Sequence, residues 1–464
     1  MAPVTARPPV SPTLAMNEEI ARRRAAGLPT LPLGFGEAGL PVLPELAEQL
    51  SRAAGLNGYG PVAGVPGLRR AVAGYFDRRG LPTDPDLVVA GPGSKPLLFA
   101  LLQAVGELQR DGGGSGGDVG AGGDAVTTVA LPSPCWVSYA TQASLLGVRT
   151  QSIPNAPGSG GVPDPVLLDA AADRARAAGR PIGAVIVTLP DNPTGTLASP
   201  EIIRAFCAVV ARHDLLVISD EIYRDLVHDE TTPILSPAAL LGDRTVVTTG
   251  LSKNLAVGGW RLGVARFGDS TIGRRWRDQV LSTASEIWSA PAHPVQLAAA
   301  WAFTEPTEVR ARIAASRRLH GAVARAVSAV LTDAGIRHSE PQGGFYLYPD
   351  LDDHRARLAD RWAVHTGPDL ARVLLDDLGV ATLPASAFGQ PDEVLAVRLA
   401  TSQLYGSDDA QRLTALGHPR PAELPWIAAE LDTLRAALAA LLGTARGPGG
   451  WKGSPSGPLE HQLD

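Results

Sequence analysis

Three of the 41 basic residues in this 464-residue chain are lysines: Lys95, Lys253 and Lys452. Arginine stays protonated and cannot act as an amine nucleophile, whereas a buried lysine can lose its proton and condense with a carbonyl. A chain that uses arginine wherever either cation would serve makes each remaining lysine a candidate for chemistry. Lys452 lies in a Gly/Pro/Ser-rich tail and has the bland reading of a solvated residue. Lys95 in GPGSK and Lys253 in GLSKNLAVGGWRLG each follow a short β-branched run, as do the stretches PSPCW, PDNPTGT and DEIYRDL. Ligands of open α/β sheets sit beyond the carboxyl ends of the strands. These five stretches are therefore where a site is expected.

The runs that must position them are 87–90, 126–131, 184–189, 215–219 and 245–249. Each reads as a strand buried on both faces, as parallel strands are. Ala/Leu/Arg-rich stretches at 96–109 and 201–212 read as helices between them, and this alternation predicts an α/β unit on a mostly parallel sheet. After about residue 305 a long helical stretch (309–334), the strand pattern GGFYLYPDL, another helix and AVRLAT predict a smaller α+β unit. The division expected is a disordered N-terminal arm over 1–30, with proline-rich 1–15 as its core, and a segment 31–50 joining the small unit. The large unit covers 51–305 and the small unit 306–445, followed by a disordered tail over 446–464. The Gly-rich stretch 111–124 reads as a flexible surface insertion.

Composition sets bounds on partners. Hydrophobic residues make up 45% and charged residues 19%, enough for a globular core. A net charge of -6 lacks the basic footprint of a nucleic-acid binder. No apolar run approaches the roughly 20 residues of a membrane span, and the first residues lack a signal-peptide core. With two cysteines and no CxxC pair, neither a disulfide framework nor a cysteine metal site is expected, and the nine histidines show no metal spacing. A cytoplasmic protein follows by default.

GLSKNLAVGGWRLG resembles the pyridoxal-phosphate attachment motif of class I/II aminotransferases, and DNPTGT and SDEIY are similar to two further motifs of that family. NGYGPVAGVPGLRRAVAGYF and VRLAT match as well, so the resemblance runs from about residue 31 to 441. It implies the fold type I architecture: a three-layer large domain on a mostly parallel sheet with a smaller α+β domain. It also implies pyridoxal 5'-phosphate as cofactor, amino acid and 2-oxo acid substrates, and a homodimer with active sites at its interface.

The resemblance then assigns roles residue by residue. Lys253 forms the Schiff base and shuttles the proton, against a bland reading as a surface lysine. Asp220 pairs with the pyridine nitrogen, where the alternative is a helix N-cap. Tyr223 and Asn192 hydrogen-bond the phenolic oxygen, though Asn192 also suits a turn before Pro193. Ser94 and Lys95, at a predicted helix start after GPG, present backbone N–H groups to the phosphate, with Ser252 and Arg261 adding a hydroxyl and a charge. Tyr59 reaches the phosphate from the neighbouring subunit, or is plain loop packing. Trp136 stacks on the pyridine ring, or is a core tryptophan. Arg398 binds the substrate α-carboxylate, and Gly36 brings backbone close to the substrate. Gly34, Gly36 and Gly39 form a GxGxxG spacing, but prolines follow where a helix should begin, so a dinucleotide site is rejected.

Departures limit the analogy. Gly250 stands where some relatives use a hydroxyl residue, and Ala385 replaces a usual glycine. LSTASEIWSAP lacks the arginine that dicarboxylate-specific relatives use, which disfavours aspartate or glutamate as the defining donor and leaves Glu286 and Trp288 to shape a pocket. A lyase, decarboxylase, cyclase or oxidase of the same fold remains the alternative to a transaminase. The sensing domain of a transcription regulator is disfavoured, because only about 30 proline-rich residues precede the first motif.

Overall fold

A computed structural model describes residues 11–111, 127–156 and 158–444. Seven strands form the main sheet: β1 (Val88–Gly91), β2 (Thr128–Ser133), β3 (Arg149–Pro154), β4 (Ile182–Thr188), β5 (Leu216–Asp220), β6 (Thr245–Gly250) and β7 (Gly263–Arg266). Their order is β1-β7-β6-β5-β4-β2-β3, and every pairing is parallel except those of β7, which runs antiparallel to both β1 and β6. All five predicted runs are strands of this sheet. Two strands went unpredicted. β3 is the edge strand, mostly exposed and polar, so it has no apolar run to detect. β7 is only four residues long.

Residues along the central strands alternate between two helical layers, as the two-residue side-chain period demands. Val89, Val129, Leu131, Ile186, Ile218 and Val246 bury against Leu97, Leu101, Trp276 and Val280 of the helices Ser94–Asp111 and Thr271–Ile287. Their neighbours Ala130, Val185, Val187 and Val217 face the helices Pro165–Ala177 and Pro200–Arg212. At the other end of that face, Val88, Ala90, Val247 and Val264 meet Pro66–Asp77 and His293–Phe303. This is a three-layer arrangement of fold type I.

The long helix Thr307–Asp333 leads into a second packed cluster with Gly367–Asp376 and Pro425–Leu442. A small antiparallel sheet runs Leu383–Pro384, Val397–Ala400, Tyr346–Leu347, and Leu31–Pro32 pairs in parallel with Val380–Ala381. Leu31, Leu33 and Leu40 bury in this cluster, but Leu43 and Leu46 bury with the large unit, where the helix Pro44–Ala53 packs on His293–Phe303. The chain thus crosses between units near residue 40, ahead of the predicted boundary at 50.

The N-terminal expectation needs correcting. Residues 12–25 form a helix, Pro12–Ala25, not a disordered arm. Pro12 sits at its first turn, where the missing N–H costs nothing and φ is already helical. Residues 1–10, the insertion 112–126 (with the first residue of the predicted 126–131 run) and the tail from 445 on lie outside the described residues.

Candidate active site

A cavity of about 520 Å³ opens at the carboxyl ends of the central strands. Gly36, Ser94, Lys95, Trp136, Asn192, Asp220, Tyr223, Ser252, Lys253, Arg261 and Arg398 all line it. Tyr59 does not: it is 95% exposed on a loop away from the cavity of its own chain. Glu286 is exposed on its helix and is not among the lining residues, and Trp288 lines an adjoining cavity that shares Ser11 and Lys95 with the first.

Strand register builds one wall. Thr188, Asp220 and Thr248 stand side by side across β4, β5 and β6. Thr248 Oγ1 donates to Asp220 Oδ1 at 3.2 Å, and Tyr139 Oη donates to Oδ2 at 2.9 Å. Tyr139 has one proton, so the hydroxyl of Thr188 at 2.9 Å must donate to Tyr139 in turn. Burial pushes the Asp220 carboxyl up to about 6, opposed by these donors. A buried carboxylate held by two hydroxyls and the Ile222 backbone, all neutral, with no cation beside it, is an incomplete pair. A protonated ring nitrogen would complete it.

Lys253 follows β6. Its Nζ donates to the Gly36 carbonyl at 2.7 Å and lies 6.0 Å from the Phe345 ring centre. Desolvation lowers its amine to about 8, with Glu37 opposing and Arg398, Arg261 and Lys95 reinforcing the shift. The residue after it is anchored separately: Asn254 Nδ2 donates to Asp225 at 2.8 Å, and Asp225 is bridged by Arg79 at 2.8 Å and by the Tyr75 hydroxyl at 3.0 Å. Burial opposes ionisation of Asp225, but Arg79 beside it holds the carboxyl below its usual range.

A cradle for an anion lies at the start of Ser94–Asp111. Gly93 has φ +98, and a Cβ there would come within 2.3 Å of Arg261 Nη2. Gly263 at the head of β7 packs equally close, since its Cβ would meet the Ser94 nitrogen at 2.3 Å. The glycines let a guanidinium and a helix N-terminus converge on one point, and Ser252 adds a hydroxyl to the same cavity. Gly250 has a packing reason too: a Cβ would lie 2.8 Å from the Leu262 carbonyl, leaving no room for a side chain.

Arg398 sits on Val397–Ala400, almost wholly buried, with its Cζ 5.0 Å from the Tyr346 ring centre and 5.3 Å from that of Phe388. Nη2 donates to the Gly34 carbonyl, whereas Nε is buried without a partner, as is Oδ1 of Asn192. Unpaired buried polar atoms are costly, and the Arg398 guanidinium, with no carboxylate paired to it among the described residues, suits an anionic guest. The residues present therefore fit pyridoxal phosphate with an amino-acid substrate: a lysine amine, a buried carboxylate, an anion cradle and an unsatisfied arginine in one cavity. The glycines of the rejected GxGxxG spacing serve close approach instead, since a Cβ at Gly36 would meet Tyr346 Oη at 2.5 Å.

The sequence reading missed Tyr139, Thr188, Tyr346, Glu37 and the N-terminal residues Ser11, Thr13 and Leu14, all of which line the cavity. Tyr139 was within reach of inference, three residues after Trp136 in a short helical stretch. Asp169, Asp173 and His213 bring ligand-type atoms within 4.8 Å of one another, but Asp169 is engaged by Arg212 at 2.5 Å, and none of the three lines the cavity.

Comparison with known proteins gives a consistent picture. The family described as aminotransferase class I and II matches residues 30–403. A probable aspartate/prephenate aminotransferase of Thermus aquaticus is 31% identical over 383 residues, covering 82% of this chain and 89% of its own. An aspartate aminotransferase of Geobacillus stearothermophilus is 30% identical, covering 83% and 90%. Among solved structures, an aminotransferase from Mycobacterium tuberculosis aligns with a TM-score of 0.75 at 25% identity, over 95% of this chain and 99% of that one. The aspartate aminotransferase from Thermus thermophilus with maleate aligns at 0.74 and 26%, over 94% and 98%.

Proposed function

The chain belongs to the class I and II aminotransferases, and from that premise we propose how its own residues perform the reaction and which donor they select. It is a pyridoxal-phosphate-dependent aminotransferase that moves an amino group from an amino acid to a 2-oxo acid. Bound in the cavity, the cofactor supplies an electron-withdrawing ring that the side chains lack. Lys253 is the covalent anchor and the proton carrier. The observation that supports this most is its desolvated amine, lowered to about 8, in the same cavity as Asp220 and Arg398. An amine near neutrality can take up a proton and return it.

Asp220 would pair with the ring nitrogen and keep it protonated, Tyr223 and Asn192 would hydrogen-bond the phenolic oxygen, and Trp136 would stack on the ring. Ser94, Ser252, Arg261 and the backbone at Lys95 take the phosphate. Arg398 takes the α-carboxylate, and the backbone at Gly36 closes that side. Tyr59, too exposed to serve its own chain, completes the phosphate site of a second copy in a homodimer. A cytoplasmic setting accords with two free, buried cysteines, and no helix among the described residues is long and apolar enough to cross a membrane.

The donor proposed is a dicarboxylic amino acid, which revises the expectation drawn from the missing arginine. Two features support it. The relatives are named for aspartate, and one solved neighbour holds maleate. Lys95 also keeps its ammonium in the cavity wall, 5.1 Å from the Trp136 ring centre. With its backbone at the phosphate, its side chain is free for a distal carboxylate. Lys95→Ala is expected to raise KM for aspartate or glutamate about tenfold or more, the size of one charge-assisted hydrogen bond, with little effect on alanine. Equal losses on acidic and neutral donors would contradict this reading of Lys95.

A further inference from the structure

Tyr346 lines the cavity, and the reaction as described leaves it without a task. It is held tightly: its backbone pairs with Ala400 across the small sheet, and its ring packs at 5.5 Å from Tyr223 and 4.7 Å from Phe345. Its hydroxyl lies 2.7 Å from that of Tyr223 and 3.5 Å from the Gly36 carbonyl. The absence of a side chain at Gly36 is what leaves space for it.

Either tyrosine can be the donor of this bond. The cofactor removes that freedom. Its phenolic oxygen, when negatively charged, only accepts hydrogen bonds, and Tyr223 has one proton to give. Once that proton points at the cofactor, the oxygen of Tyr223 can only accept from Tyr346. The buried pair is then a directed chain in which each bond polarises the next. We propose that Tyr346 is a positioning residue, whose hydroxyl donates to Tyr223 and so fixes Tyr223 as the donor to the phenolic oxygen of the cofactor. This rests on the reading of Tyr223 given above. The rival role is a direct contact to substrate, since the same ring lies against Arg398.

The bound cofactor itself supplies the test, because its visible absorbance changes when the nitrogen it shares with Lys253 loses its proton. A donor at the phenolic oxygen favours the negative charge left behind, so weakening that donor raises the pH midpoint of the change. Tyr223→Phe is expected to raise the midpoint by about one pH unit, the scale of a hydrogen bond to a charged group. Tyr346→Phe keeps the ring and should raise it by about 0.3 unit, the share expected from cooperative polarisation. The double variant should shift no further than Tyr223→Phe alone, because Tyr346 acts through Tyr223. An unmoved midpoint in Tyr346→Phe, or a double-variant shift equal to the sum of the two, overturns the proposal. So does a Tyr346→Phe enzyme changed only in its affinity for succinate, which identifies a substrate contact. If Tyr223→Phe leaves the midpoint in place, the reading of Tyr223 falls and takes the proposal with it.

Discussion

Asp220 shows how one residue ties stability to function. Burial raises its carboxyl to about 6 in the folded protein, against about 4 in an unfolded chain. A raised carboxyl favours the folded state below the unfolded value, and that advantage is lost as pH climbs from about 4 to 6. The loss is about 2–3 kcal/mol for a two-unit shift. Asp220→Asn removes this slope. Denaturant unfolding of the cofactor-free proteins should therefore show the variant gaining about 2 kcal/mol on the wild type between pH 4.5 and 7; a gap independent of pH would contradict the burial argument. If Asp220 partners the ring nitrogen as proposed, the same substitution in the loaded enzyme should lower kcat by about 10²–10³. The sequence exposed Asp220 through SDEIY at a strand end, whereas Thr188 and Tyr139 stayed hidden. A threonine ending a strand and a tyrosine in a short helix have many bland uses, and only the register across β4, β5 and β6 brings them to one carboxylate.

Among the elements, those with strong periodic signals were legible and those whose meaning is set by neighbours were not. Five β-branched runs became strands, and the 309–334 stretch became Thr307–Asp333. The helix Pro12–Ala25 was expected to be part of a disordered arm because the segment leading into it is rich in proline, yet Ser11, Thr13 and Leu14 reach the cavity. Turn geometry is equally context-bound: Gly93 and Gly263 matter because the loop before Ser94–Asp111, β7 and Arg261 meet there. Gly93→Ala forces a Cβ into left-handed backbone and into Arg261. Spectroscopic titration of the cofactor-free variant with pyridoxal phosphate should show at least a tenfold weaker affinity, since such strain is worth about 1–3 kcal/mol. Wild-type affinity would mean that Arg261 is not part of the phosphate cradle.

For the whole molecule, the sheet places the five motif-bearing strand ends at one rim, and the crossing near residue 40 carries the glycine segment from the small unit across that rim. Tyr59 extends the argument to a second copy. Mixing Tyr59→Ala and Lys253→Ala chains under subunit exchange should yield hybrid dimers in which one site holds both intact residues, recovering activity that neither variant has alone; no recovery would place Tyr59 outside the neighbouring site. The proposed chemistry stands on Lys253, one of three lysines among 41 basic residues. Borohydride reduction of the loaded enzyme, followed by peptide mapping, tests it most directly. The account predicts the reduced cofactor fixed to the peptide carrying Lys253, with a Lys253→Ala protein unlabelled and Lys95→Ala labelled as wild type. Label on Lys95, or label that survives the loss of Lys253, would contradict it.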